Sequence, residues 1–176
     1  CSGGDVDDII AELFSRDMQG LVAFTRVTGA LIANIRKLRK PVVAAVHGAT
    51  VGAGAVIALA ADFRIAADTT KFGFIFPRVG LCGADMGAAY LLPRVIGLGH
   101  ATELLLLGDI IRADRALAIG LVHKVVPAGA LAAESRALAE RGNERACRPS
   151  GISGTRGAAL HGNLSQRRES CDVSPA

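Results

Sequence analysis

Between Pro41 and Asp62 the chain reads PVVAAVHGATVGAGAVIALAAD, and the only polar side chains inside that run are His47 and Thr50. A stretch so apolar must be buried, in a protein core or in a bilayer. Val42 to Val46 opens after a proline as a short, almost wholly apolar segment, the pattern of a strand covered on both faces. His47-Gly48 turns the chain. Gly52-Ala53-Gly54 then introduces an Ala- and Leu-rich segment, Ala55 to Ala61, that reads as a buried helix ending before Asp62. Strand, small-residue loop and helix start together expose bare backbone N–H groups at the positive end of a helix dipole. Glycine lets a ligand approach such a backbone closely. A site of this kind favours an anion, bound or developing during a reaction.

Other readings of the stretch fit less well. Gly48 to Gly52 spells GxxxG, as in packed membrane helices, but Gly and Ala dominate and a proline opens the run. A dinucleotide fingerprint fails because Ile57 stands where GxGxxG needs its third glycine, and no lysine follows to make a phosphate loop. The plain alternative is a tightly packed strand–helix pair, which spacing alone does not exclude.

A chain of 176 residues suits one domain with a sizeable core, and its 20% charged content is that of a globular protein. The net charge of +4 gathers in Arg36-Lys37-Leu38-Arg39-Lys40 and beyond Arg141. With one tyrosine and no tryptophan to stack on bases, it does not point to nucleic acid. Cys1, Cys82, Cys147 and Cys171 lack metal-ligand spacing, so no metal is expected. They fit free thiols in a reducing cytoplasm.

In chain order, Cys1 to Asp5 is a small-residue turn with no strand before it and no opening methionine, as if the sequence begins inside a domain. Asp7 and Asp8 are candidate caps for a short helix carrying Ile9, Ile10, Leu13 and Phe14. From about Gly20, the residues Leu21, Phe24, Val27, Thr28, Leu31, Ile35 and Leu38 fall at helical spacing on one face. The basic run suits that helix's C-terminus, and Pro41 prevents continuation. Strands are expected over Phe63 to Ala67 and Lys71 to Phe74, with Asp68-Thr69-Thr70 between them. Phe72 and Phe74 read as core. After the loop Gly80 to Ala84, Asp85 stands where a helix cap would, before Met86 to Leu92, and Pro93 breaks or restarts the helix. Ala101 to Leu107 is an apolar helix ended by Gly108. Asp114 caps a segment to Ile119, Leu121 to Val126 is a strand, and Leu131 to Arg141 a last amphipathic helix. Residues 142–176, rich in Gly, Arg and Ser, are read as disordered, or as a tail in a shifted frame.

CSGGD, KPVVAAVHGATVGAGAVIALAAD, FGFIFPRVGLCGADMGAAYLLPRVIG and a closing Gly-Leu-Val strand occur in that order from Cys1 to about Arg141. Together they resemble the enoyl-CoA hydratase/isomerase (crotonase) superfamily. The resemblance implies an α/β fold, the ClpP/crotonase superhelix of repeated ββα units, over residues 1–141. It lacks the family's N-terminal strands, which help hold the CoA nucleotide. It implies acyl-CoA thioester substrates, with coenzyme A entering as part of the substrate and no separate cofactor. Assembly as trimers or hexamers is implied, with no membrane partner. Two backbone N–H groups, of Gly4 and Ala53, would form an oxyanion hole. Ser2, Gly3, Asp5, Val51, Gly52, Val56 and Phe76 would line the substrate site around them.

The departures shape the expected chemistry. Hydratases of the family carry glutamates at the positions of Val56 and Phe76, and neither residue here exchanges a proton. The second acidic position, used in isomerases, falls close to Asp85. That residue has two readings, catalytic acid/base or plain helix cap. His47, after a buried strand, reads as a turn histidine. The function expected is acyl-CoA enolate chemistry without the hydratase glutamates. The alternative is an inactive piece that binds or assembles with intact relatives.

Overall fold

The architecture is described from a computed structural model, which covers residues 1–83 and 85–146. Helices α1 (Val6–Ser15) and α2 (Met18–Lys37) precede a unit of β1 (Val43–Val46), β2 (Ala49–Val51) and α3 (Ala53–Ala60). A second unit repeats the order with β3 (Phe63–Ala67), β4 (Lys71–Gly73), α4 (Ala88–Ile96) and α5 (Leu98–Leu107). The chain closes with β5 (Ile110–Arg112), α6 (Ala113–Ala118), β6 (Lys124–Val126) and α7 (Leu131–Ala146).

Each ββα unit gives one strand to each of two sheets. The first sheet runs β1-β3-β6, all parallel, with Val43 opposite Phe63 and Ile65 opposite Lys124. The second runs β2-β4-β5, where β4 is parallel to β2 and antiparallel to β5. Parallel neighbours need a crossover, and here β2 with α3 supplies the one between β1 and β3. This is the α/β, repeated ββα architecture that the motifs imply.

Helix α3 lies inside the molecule. Gly54, Ala55, Val56, Ala58, Leu59 and Ala60 are buried, so small side chains let it pass closely between β2, α2 and α4. The main core joins Val56 and Leu59 to Phe72, Phe74, Phe76, Leu92, Leu104 and Leu121. A smaller cluster of Ile65, Ala67, Val126 and Leu131 seats α7. Arg64 is buried in β3 at 4% exposure. Its guanidinium donates to the carbonyls of Leu121 (2.6 Å), Ala61 (2.7 Å) and Leu59 (3.3 Å), tying the end of α3 to the approach of β6. Burial, then the charge of Arg36, pushes its pKa down to about 10. Asp62 fastens the entry of β1 by accepting from Val42 N–H at 2.8 Å, and it faces Arg36 at 3.6 Å. The basic helix end is therefore partly committed to an ion pair.

Several expectations shift. The acceptor at the start of α1 is Asp5, whose Oδ1 takes the Asp8 N–H at 3.3 Å. The side chains of Asp7 and Ile10 lie outside the described residues, and Phe14 is exposed. Helix α2 starts two residues before Gly20 because Asp17 accepts from Gly20 N–H and caps it. Its inward face is Leu21, Phe24, Thr28, Ile32 and Ile35, with Ile32 buried, while Val27, Leu31 and Leu38 face out. Pro93 sits inside α4 rather than ending it. Asp114 falls in the first turn of α6, whose cap position is Arg112. The last strand is shorter than Leu121 to Val126, and α7 runs beyond Arg141 to Ala146. The rest of the tail reading, from residue 147 on, lies outside the described residues. No helix among the described residues is long and apolar enough to cross a membrane, because the apolar stretch is split into β1, β2 and α3.

Candidate active site

Gly52 caps α3 without a side chain, at φ 54° and ψ −129°, a conformation open to glycine. Its carbonyl accepts from Ala55 N–H and Val56 N–H, which leaves Ala53 N–H at the helix tip. Residues Cys1 to Gly4 lie against this tip. The Cys1 carbonyl accepts from Val51 N–H at 3.1 Å, and its amino group donates to the Ala49 carbonyl at 2.8 Å. Gly3 has φ +93°, and a Cβ there would come within 3.2 Å of Ala53 N. A Cβ on Gly54 would overlap the Cys1 carbonyl. Glycine is thus required at both places for the two segments to meet. Neither Gly4 N–H nor Ala53 N–H has an acceptor among the described residues.

Both residues line a cavity of about 610 Å³. Ser2, Gly3 and Gly52 line it beside them, and Phe76 and Asp85 line it from the second unit, between β4 and α4. Asp5, Val51 and Val56 do not. Asp5 is taken up at the start of α1, Val51 is buried in β2, and Val56 is wholly buried in the core. Asp85 is the only carboxylate among the lining residues. Its Oδ1 accepts from Met86 N–H at 2.8 Å, and its other oxygen has no partner among the described residues. The cap position of α4 is Gly87, so Asp85 holds a short 3₁₀ turn, Asp85–Gly87, rather than the helix proper. Met86, the next residue, has φ +50°, a left-handed conformation that costs a non-glycine residue on the order of 1 kcal/mol. His47 is not among the residues lining the cavity.

The remaining wall is what the sequence did not reveal. Ile9 and Leu13 of α1, and Leu21, Phe24, Thr25, Thr28 and Gly29 of α2, face the cavity. The helical spacing of Leu21, Phe24 and Thr28 was visible, but a periodic apolar face does not distinguish a packed core from a cavity wall. Ile75, Val79, Leu81, Cys82 and Met86 complete it. The site is an apolar chamber whose lining includes one carboxylate and several backbone N–H groups without an acceptor among the described residues, those of Gly4 and Ala53 among them. Among the described residues no group of three side chains suits a metal.

Comparison with known proteins gives the family. The family model for enoyl-CoA hydratase/isomerase matches residues 1–149. The chain belongs to the enoyl-CoA hydratase/isomerase family. A trans-2-decenoyl-[acyl-carrier-protein] isomerase of Streptococcus mutans is 41% identical over 123 residues, 70% of this chain and 46% of the relative. A crotonyl-CoA hydratase of Syntrophomonas wolfei is 45% identical over 108 residues, 61% of this chain and 41% of the relative. A crystal structure from Streptomyces coelicolor A3(2), assigned as an enoyl-CoA hydratase, superposes with a TM-score of 0.78 at 55% identity. That match covers 81% of this chain and 52% of the other. The chain spans about half the length of the relatives it matches.

Proposed function

We propose that the protein processes acyl-CoA thioesters through an enolate held between Gly4 N–H and Ala53 N–H, with Asp85 moving the proton. The observation that carries this reading is that the first N–H of α3, at Ala53, and the segment Gly3-Gly4 packed against it border one apolar cavity with a single carboxylate among its described lining residues. Two N–H groups aimed at a thioester oxygen stabilise the negative charge that develops there when a neighbouring carbon loses its proton. Asp85, through the oxygen not held by Met86, takes a proton from the α carbon of a 3-enoyl thioester. The electron pair spreads into a dienolate. Asp85 then returns the proton to the γ carbon, the double bond moves into conjugation, and the carboxylate is regenerated with no water consumed.

The relatives' names include both an isomerase and a hydratase, so kinship does not choose between these reactions. The carboxylate inventory favours proton transfer between carbons. Water addition in this family is usually served by a pair of glutamates, whose positions are taken here by Val56 and Phe76. Coenzyme A enters as part of the substrate. Assembly as a trimer or hexamer is part of the same reading, and exposed apolar side chains such as Phe14, Met18, Val27, Leu98 and Leu106 offer surface for further protein contact. The free thiols of Cys1 and Cys82 support a reducing, cytoplasmic setting.

The test compares Asp85→Asn with the unaltered protein on a 3-enoyl-CoA, following the conjugated product by absorbance. The variant keeps the side chain's shape and its acceptor for Met86 N–H but removes the base. Activity falls by about 100-fold or more, and hydration of a short 2-enoyl-CoA stays slow in both proteins. Full activity in Asp85→Asn, or rapid hydration, overturns the assignment.

A further inference from the structure

Five glycines line the cavity, and four of them have a reason to be glycine in the backbone. Gly3, Gly52 and Gly87 have φ of +93°, +54° and +83°, and a Cβ on Gly4 would overlap Ile9 Cδ1. Gly29 has neither constraint. It sits within the 20-residue helix α2 with no positive φ, and a Cβ placed there would meet nothing within 4 Å among the described residues. Glycine in a helix interior weakens it relative to alanine, so the fold loses stability here and gains no close packing in return. What Gly29 does provide is open space on the cavity side of α2.

We infer that Gly29 sets the length of acyl group this site accepts, an inference that rests on the acyl-CoA reading above. Its neighbours on the wall support selection by size. Thr25 Oγ1 donates to the Leu21 carbonyl at 3.0 Å, and Thr28 Oγ1 donates to the Thr25 carbonyl at 3.1 Å. Both hydroxyl protons are committed to the helix backbone, so neither is left to recognise a polar group on the ligand. Phe24 and Leu21 add apolar surface. A cavity of about 610 Å³ lies in the range that takes sizeable organic ligands, about 300–1,000 Å³. A Cβ at position 29 would meet no heavy atom of the described residues within 4 Å, and Gly29 borders the chamber. The ligand class is an unbranched apolar acyl thioester long enough to reach the middle of α2.

The experiment measures binding of butanoyl-CoA and dodecanoyl-CoA, saturated and therefore unreactive, to the unaltered protein, Gly29→Ala and Gly29→Leu by calorimetry. The Leu variant weakens dodecanoyl-CoA by about ten-fold or more, as expected when a pocket loses room for a methylene or more, and leaves butanoyl-CoA within about two-fold. The Ala variant raises Tm and shifts the chain-length preference in the same direction by a smaller factor, so the inference remains testable if Leu impairs folding. Equal weakening of both ligands, or no weakening of either, overturns the role of Gly29 while leaving the acyl-CoA reading in place. An Ala variant with lowered Tm shows that the fold requires the glycine and overturns it too. Failure of the unaltered protein to bind either acyl-CoA overturns the functional reading itself, and this inference with it.

Discussion

Replacing Ala53 with proline isolates one hydrogen-bond donor from everything else the site does. Ala53 is the first residue of α3, the position where a helix tolerates proline best, because its N–H has no partner within the helix. No hydrogen bond among the described residues is lost, since Ala53 N–H donates to none. Gly52, at φ 54° and ψ −129°, occupies the mirror image of the extended region that a residue before proline adopts, which glycine accepts. The ring's Cδ does approach Gly3, so the folding cost is small rather than zero. Removing one oxyanion donor costs about 3 kcal/mol in the transition state, roughly a 100-fold loss of kcat. Far-ultraviolet circular dichroism and urea unfolding report the fold, and steady-state turnover of a 3-enoyl-CoA reports the donor. The reasoning predicts a change in unfolding free energy of about 1 kcal/mol or less, against the far larger loss in turnover. An unchanged kcat in a folded Ala53→Pro protein refutes the proposed role of Ala53 N–H as an oxyanion donor.

Three further perturbations test how the site is held. Gly54→Ala puts a methyl group into the Cys1 carbonyl, so residues 1–4 leave the helix tip. Proteolysis near the N-terminus should speed up and acyl-CoA binding weaken by about ten-fold or more, whereas unchanged binding would detach the first segment from the site. Arg64→Met leaves the carbonyls of Leu121, Ala61 and Leu59 without their donor. At about 1–3 kcal/mol for each buried carbonyl, partly offset because a buried charge is also removed, the loss should reach about 3 kcal/mol in urea unfolding. A loss below about 1 kcal/mol would mean that water replaces the guanidinium. Burial, followed by the charge of Arg64, lowers the pKa of His123 in the folded protein, and its Nδ1 accepts from Arg64 N–H at 3.2 Å. The unfolded chain then binds the proton more readily, so stability should fall as pH drops through the ordinary histidine range near 6.5. In His123→Asn the slope should flatten, and an unchanged slope would assign it to other groups.

The segments that carry strong local signals were legible from sequence alone. The strand expected over Val42 to Val46, apolar throughout and opened by a proline, is found as Val43–Val46, and the Ala- and Leu-rich helix expected over Ala55 to Ala61 is found as Ala53–Ala60. The ordered motifs were enough to bring Gly4, Ala53 and Asp85 forward as a set. β2 and β5 were missed, since three residues are too few to show a period and are held by their pairing with β4. Arg64 was passed over for a related reason. Nothing local marks an arginine inside an apolar strand as the donor to three carbonyls drawn from α3, its exit and the approach of β6.

The sequence by itself determined which segments must be buried, where glycine breaks the chain and which few polar groups are available for chemistry. Those are properties of neighbouring residues, fixed by side-chain volume and backbone freedom. Only the tertiary structure decided which buried faces meet other side chains and which meet empty space. Val56 and Phe76 are both buried in the main core, yet only Phe76 also borders the cavity. The inward face of α2 keeps one periodicity throughout, yet Leu21, Phe24 and Thr28 border the cavity while Ile32 and Ile35 pack into the core. Periodicity records that a residue is turned away from solvent. What it is turned toward depends on the crossing of elements far apart in the chain, here α2 passing opposite the Phe76–Gly87 loop and the tip of α3.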